Sequence, residues 1–255
     1  MGDMLVGKVC MVTGSSQGLG RAFCAALAQE GATVVAAGRS RERVQVVVDE
    51  LPPTADAVLP HLAVVLDTGD PDSVAAGVRA AEERLGRIDV LVNNAATYGD
   101  LTRAPFYELS VDEWERAMRI NVRGPWLVAR AVAPGMVARR TGRIINIVSA
   151  TFFSGSPQWA HYVASKGAVI GMTRVMAKEL GAHDICVNAV APGFTLTEAS
   201  TGAFENADTY GVDRGSIKRA EQPEDVVGIV AFLASDKAGF ITGQTIIVDG
   251  GRQFI

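Results

Sequence analysis

Apolar residues along the chain fall into short β-branched runs, separated by longer stretches in which they recur every three or four positions. The runs Val9–Thr13, Thr33–Ala37, Leu62–Leu66, Val90–Asn93, Arg143–Ser149, Ile185–Ala191 and Thr245–Val248 are too short for helices and predict buried strands. Helical periodicity falls near 18–30, 41–50, 72–85, 112–138, 160–181 and 223–234. Ser110 stands three residues before Glu113, which predicts a capping box at the start of the fourth helix. Pro71 and Pro223 suit the first turns of the third and last helices, where a missing N–H costs nothing. Strand and helix alternate throughout. That order predicts an α/β architecture, a doubly wound seven-stranded parallel sheet flanked by helices and joined by right-handed crossovers. No repeat, low-complexity tract or linker divides the chain, so residues 1–255 are expected to form a single domain. The segment 194–221 shows no clear element. It follows the sixth strand at the carboxyl edge, where open α/β sheets bind ligands, and is expected to be a substrate-binding loop.

Length and composition remove several function classes. A chain of 255 residues buries enough surface to fold without disulfides or a structural metal. With 48% hydrophobic and 20% charged residues it is neither disordered, collagen-like nor coiled-coil. No apolar run reaches the length of a membrane span. The start, Met1 to Lys8, lacks the basic and apolar regions of a signal peptide, and Val6 stands where a myristoylation signal wants Ser or Thr. A soluble, unprocessed, cytoplasmic chain with no membrane partner is expected. A net charge of −4 (24 basic against 28 acidic residues) argues against nucleic acid as a partner. Cys10, Cys24 and Cys186 are odd in number and sit among apolar residues, which predicts buried, reduced thiols. His61, His161 and His183 show no ligand spacing with one another or with the cysteines, so no metal is expected.

The first strand runs into Thr13-Gly14-Ser15-Ser16-Gln17-Gly18-Leu19-Gly20 and then into a helix. Glycines there allow a tight turn that brings backbone N–H groups and a helix N-terminus close to a pyrophosphate. The spacing is G-x-x-x-G-x-G, in the strand–turn–helix setting that a phosphate-binding turn requires. At the end of the second strand, Val35-Ala36-Ala37-Gly38-Arg39 carries no acid to accept from a ribose 2′-hydroxyl. Arg39 offers instead a guanidinium that can pair with a 2′-phosphate. NADP(H) is therefore expected, with NAD(H) as the alternative.

Tyr162 and Lys166 are four apart on a predicted helix and share a face. A free tyrosine titrates near about 10, too high for easy proton transfer at neutral pH. A lysine charge about 5 Å away, at an effective dielectric near 20, offers about 3 kcal/mol toward the phenolate, and so predicts a lowered phenol pKa. Tyr162 then becomes a general acid or base. Ser149, at the end of the fifth strand, is placed to hydrogen-bond a substrate carbonyl and the phenol.

With these features the chain resembles the short-chain dehydrogenase/reductase family, in its compact subgroup. The resemblance spans essentially the whole chain and rests on Thr13–Gly20, Asn93-Asn94-Ala95, Asn121, Ser149, Tyr162 with Lys166, and Pro192-Gly193 with Thr197. It implies a Rossmann-type fold and a catalytic set of Asn121, Ser149, Tyr162 and Lys166. Tyr162 would transfer the proton, Ser149 orient the carbonyl, Lys166 lower the phenol pKa and hold the nicotinamide ribose, and Asn121 support a water-linked relay. The resemblance places the cofactor against Gly14, Ser16, Gln17, Gly18, Leu19, Gly20 and Arg39, with Asp67 and Thr68 at the adenine and Asn94 and Ala95 near the ribose. Pro192, Gly193, Thr195 and Thr197 would meet the nicotinamide. It also implies a homotetramer or homodimer through helices 112–138 and 160–181, where Ala164, Gly167, Ala168 and Gly171 permit close packing. Two positions depart from the family pattern. Ala96 replaces the usual glycine after Asn93-Asn94-Ala95, and Thr195 stands where a β-branched apolar residue is commoner.

The reading that follows is an oxidoreductase that moves a hydride between NADP(H) and a small-molecule carbonyl or secondary alcohol. Tyr98, Phe152, Phe153, Trp159, Phe194, Leu196, Phe204 and Tyr210 cluster along the expected pocket and suggest a medium-sized, neutral hydrophobic ketone. A 3-oxoacyl-acyl-carrier-protein reductase is the alternative within the same chemistry. From another class, a non-catalytic dinucleotide-sensing regulator would not need the Tyr162/Lys166 pair. A sugar-nucleotide epimerase or dehydratase would call for a longer chain and a different glycine spacing.

Overall fold

Seven β-branched runs are extended because their side chains fill both faces of one sheet. β1 (Val9–Thr13), β2 (Thr33–Gly38), β4 (Val90–Asn93), β5 (Gly142–Ile147) and β6 (Ile185–Pro192) are buried at every position. The edge strands β3 (Leu62–Val65) and β7 (Thr245–Val248) are only partly covered. In this computed structural model, which describes residues 2–54, 59–203 and 206–254, all pairings are parallel and the order is β3-β2-β1-β4-β5-β6-β7. The winding direction reverses between β1 and β4, and that switch point opens a crevice at the carboxyl ends of the strands.

Helices cover both faces. α1 (Gly18–Gln29) packs with the last long helix, Pro223–Ala234, over a core that includes Phe23, Leu27, Val226 and Leu233. α2 (Arg41–Asp49) closes the same face through Val44 and Val47. α3 (Pro71–Leu85) covers the other face with Val74 and Val78 against Met11 and Leu91. Pro71 opens α3 as expected, Asp70 caps it through the Asp72 N–H, and left-handed Gly86 (φ +79°) ends it.

The periodic stretch 112–138 is not one helix. α4 (Val111–Met118) passes through a π-helical turn at Arg119–Arg123 into α5 (Gly124–Arg139). Pro125 has no N–H to give the Asn121 carbonyl, and the Gly124 N–H bonds back to Arg119, five residues earlier. The wider turn also seats Gly124 against Thr68, where an added Cβ would lie 3.0 Å from the threonine Cβ. The capping box at Ser110 is only half formed. Its Oγ accepts from the Glu113 N–H, but the Glu113 carboxylate turns away to the Thr102 N–H.

A short α6 (Thr151–Ser154) precedes the long α7 (Ala160–Leu180). The segment 194–221 is less irregular than expected. It carries α8 (Glu198–Ala203) and a 3₁₀ turn at Val212–Arg214, and its base is closed by a bridge between Thr195 and Glu221. α9 is the helix Pro223–Ala234 already described, with Gln222 and Asp225 forming a complete capping box. Cys10, Cys24 and Cys186 are free and buried, and burial pushes the Cys24 thiol up to about 12. Among the described residues no helix is long and apolar enough to cross a membrane, and no cluster of His, Cys, Asp and Glu could hold a metal.

Candidate functional site

The strand ends meet in a cleft of about 940 Å³ at the switch point. Every residue expected at a cofactor lines it, from Gly14 and Gly20 through Arg39, Asp67 and Asn94 to Pro192 and Thr197. Ser149, Tyr162 and Lys166 line it as well, whereas Asn121 does not.

One end is the glycine turn. Gly14 is left-handed (φ +65°), and a Cβ there would stand 2.7 Å from the Ala95 Cα. A Cβ on Gly20 would lie 2.2 Å from the Gly14 carbonyl oxygen, so neither position admits a side chain. Thr13 Oγ1 accepts from the N–H groups of Asn94 (3.0 Å) and Ala95 (3.1 Å). Asn94 was expected at the ribose, but its Nδ2 donates to the carbonyls of Thr13 (3.0 Å) and Gly14 (3.1 Å). Those carbonyls need donors because the turn leaves the sheet ladder, so the amide of Asn94 serves the turn. The Gly18 N–H, at the start of α1, donates to Glu198 Oε2 at 3.1 Å. A carboxylate therefore already rests where a helix N-terminus favours negative charge, the place a pyrophosphate would take.

At the adenosine end, a Cβ on Gly38 would come within 2.8 Å of Val44 Cγ1, so no acidic side chain fits there without repacking α2. Exposed Arg39 is joined by Arg43, whose guanidinium bonds the Gln17 side chain, and both arginines line the cleft. The sequence reading missed Arg43. Its signal was the spacing of four from Arg39 across the start of α2. Asp67 Oδ1 accepts from the Gly69 N–H (2.8 Å), which fixes the loop after β3.

At the other end Ser149, Tyr162 and Lys166 are buried together, at 6%, 8% and 4% exposure. Helical spacing stacks the lysine over the tyrosine, with Nζ 5.5 Å from the ring centroid. Nζ donates to the Ile147 carbonyl at 3.0 Å and not to the phenol. The expected lowering of the phenol pKa is overturned in this state. Burial pushes Tyr162 above its ordinary range, the Ser149 hydrogen bond opposes that shift, and nearby Tyr98 adds to it. Burial also brings Lys166 down to about 8. Sequence spacing gave the proximity of the pair but not the desolvation that both groups suffer. A second hydroxyl, missed in the sequence, stands beside Ser149. Thr151 Oγ1 donates to Ser149 Oγ at 2.9 Å, and its N–H lies at 3.2 Å.

Asn121 is held elsewhere. Its Nδ2 donates to the Thr97 carbonyl (3.0 Å) and Ser165 Oγ (3.2 Å), and its Oδ1 accepts from the Thr97 N–H (2.8 Å). The side chain ties the loop after β4 to α7.

Tyr98, Trp159 and Tyr162 form one aromatic wall, with centroids 5.2 to 5.9 Å apart. Phe194 and Tyr210 pack together at 4.7 Å and also line the cleft. Phe152, Phe153 and Leu196 do not line it. Phe152 lies over Gly167, where a Cβ would be 2.6 Å from its ring, and Phe153 joins a separate core with Val169. Phe204 lies outside the described residues. The cleft is less apolar than the sequence suggested, because Arg103 and Arg214 face it over the rings of Trp159 (4.1 Å) and Tyr210 (5.8 Å).

Comparison with known proteins gives a consistent picture. Residues 14–253 match a family model described as enoyl-(acyl carrier protein) reductase. The 3-oxoacyl-(acyl-carrier-protein) reductase FabG of Thermotoga maritima is 39% identical over 97% of this chain and 98% of its own. A solved protein named as a short chain dehydrogenase/reductase family protein superposes with a TM-score of 0.86 at 35% identity, over 97% of this chain and 98% of that one. Another, from Brucella melitensis 16M, superposes at 0.89 with 33% identity over 99% of this chain and 94% of its own, and carries the name ribose-5-phosphate isomerase.

Proposed function

Because this chain belongs to the short-chain dehydrogenase/reductase family, and is therefore an oxidoreductase that uses a nicotinamide cofactor, we propose that it interconverts a carbonyl and a secondary alcohol with NADP(H). The observation that carries this reading is the meeting of Ser149, Tyr162 and Lys166 at one end of a cleft whose other end is the glycine turn. When bound, the nicotinamide supplies the hydride or takes it up. Tyr162 gives its phenolic proton to the carbonyl oxygen in reduction, while the Ser149 hydroxyl holds that oxygen in line. Lys166, anchored on the Ile147 carbonyl, keeps its charge beside the phenolate left behind. A regulator that only sensed a dinucleotide would have no use for this proton-transferring set.

The wall of Tyr98 and Trp159 beside the phenol supports a ketone with an aryl or alkyl substituent. Segment 194–221 would close over it with Phe194 and Tyr210. A second reading, reduction of a 3-oxoacyl thioester, is favoured by the identity to the Thermotoga reductase and by Arg103 and Arg214 at the cleft, which suit an anionic carrier. Assembly into a homodimer or homotetramer is supported by Trp126 on α5 and Val175 on α7, which are 43% and 56% exposed.

The test is NADPH oxidation with a panel of size-matched carbonyls. We expect neutral aryl and alkyl ketones to exceed free 2-oxo acids and phosphorylated sugars in kcat/KM, because the wall beside the phenol is aromatic and the Arg103 guanidinium there is stacked on Trp159. Activity confined to 3-oxoacyl thioesters would establish the second reading. Preference for small anionic carbonyls would show that Arg103 and Arg214 bind the substrate itself.

A further inference from the structure

Beneath the strip expected to meet the nicotinamide lies a carboxylate that the mechanism does not use. Glu221 sits at the far end of segment 194–221, just before α9. Its Oε1 accepts from the Thr195 hydroxyl at 2.7 Å and its Oε2 from the Gly193 N–H at 3.1 Å. Its own carbonyl accepts from the Leu196 N–H at 2.8 Å, and its backbone bridges to Thr195. Room for the carboxylate depends on Gly193, because a Cβ there would lie 2.5 Å from Oε2. Gly193 and Thr195 line the cleft, whereas Glu221 stands behind them. Thr195 is also one of the two positions where this chain departs from its family, and its hydroxyl is what the carboxylate engages.

We infer that Glu221 is a positioning residue of the cofactor site, a latch that acts through Gly193 and Thr195 to hold the strip after β6. The inference rests on the nicotinamide reading of that strip. The Gly193 N–H is shared with the Val248 carbonyl at 2.8 Å, so the Thr195 hydroxyl is the donor that depends on the carboxylate, and both of its oxygens accept fully only when it is ionised. Its surroundings resist ionisation. Burial raises Glu221 to about 7, the hydrogen bonds from Thr195 and Gly193 oppose the rise, and the charges of Asp225 and Asp249 add to it. Arg219 is drawn to Asp225 by two hydrogen bonds of 2.6 Å, and Asp249 Oδ1 accepts from the N–H groups of Gly251 and Arg252. Protonation near neutral pH therefore removes one acceptor from the strip.

Two pH dependences of opposite sign follow. A carboxyl raised in the folded state adds stability that is complete below its unfolded value, near 4.5, and is lost as pH rises through about 7. Thermal stability of the wild type should then fall between pH 5 and pH 8 relative to Glu221→Gln. Cofactor binding should run the other way and tighten as the latch completes.

NADPH fluorescence titrations between pH 6 and pH 8.5, with melting curves of the cofactor-free protein, test this on the wild type, Glu221→Gln, Thr195→Val and Thr195→Ser. The expected result at pH 8 is a Kd raised about three- to tenfold by Glu221→Gln and Thr195→Val, the scale of one ordinary hydrogen bond. Both variants should flatten the pH profile and raise KM for NADPH more than they lower kcat, whereas Thr195→Ser, which keeps the hydroxyl, should restore the pH profile. Should Glu221→Gln fail to fold, Thr195→Val carries the same comparison. Wild-type binding that both variants match at every pH overturns the latch alone. A wild-type protein that binds neither NADPH nor NADH overturns the cofactor reading and the latch with it.

Discussion

Tyr162→Phe should lower kcat/KM by about two to four powers of ten on any accepted carbonyl and leave NADPH binding measurable. The change deletes one oxygen from a residue that is 8% exposed and packed against Tyr98 and Trp159, so the ring and its neighbours keep their places. What disappears is the phenolic proton, which neither neighbour replaces, because Ser149 is a far weaker acid and the Lys166 ammonium is held on the Ile147 carbonyl. The lysine adds a second readout. With its pKa brought down to about 8 by burial, it loses its charge as pH rises through that value, and the phenolate loses its support. The rate of carbonyl reduction should therefore fall above about pH 8, and Lys166→Arg should move that limb upward. Steady-state rates from pH 6 to pH 10, with cofactor binding measured separately, check both points. Retention of most of the turnover by Tyr162→Phe would remove the tyrosine from the mechanism.

Alanine at both Arg39 and Arg43 should cut kcat/KM for NADPH by about 10- to 100-fold and change NADH little, so that the wild-type preference for NADPH is lost. Arg39 follows β2 and Arg43 lies in the first turn of α2, and both are exposed, so the contact should weaken as salt is added and the single variants should each lose less. The reciprocal change is harder to make than the sequence suggests. Gly38→Asp would bring the carboxylate that NADH favours, but its Cβ would press on Val44 Cγ1 at 2.8 Å, so the Val44 side chain must give way first. Equal losses with both cofactors in the arginine variants would mean that the guanidinium groups stack on adenine and read no phosphate. A wild-type preference for NADH would end the argument.

The sheet, the glycine turn and the Tyr162/Lys166 pair were legible along the chain, because each follows from local spacing. β-branched runs bounded by turn residues can only be short strands, and residues four apart on a helix must share a face. The cleft lining followed from the same logic, since strand ends of a doubly wound sheet converge at the switch point whatever the loops do. Tertiary structure decided what burial and long-range partners impose. It turned the Tyr162 phenol upward where spacing alone predicted a lowered value, because desolvation acts on both members of the pair. It took Asn121 and Asn94 into service of the backbone, since buried carbonyls and N–H groups must find partners and these amides were the nearest. It split the stretch 112–138 at Asn121, where Pro125 withholds a donor and Thr68 needs room. It also brought Glu221 against Gly193 and Thr195, a contact across more than 25 residues that no periodicity in the chain announces, because only folding of the intervening segment closes the distance.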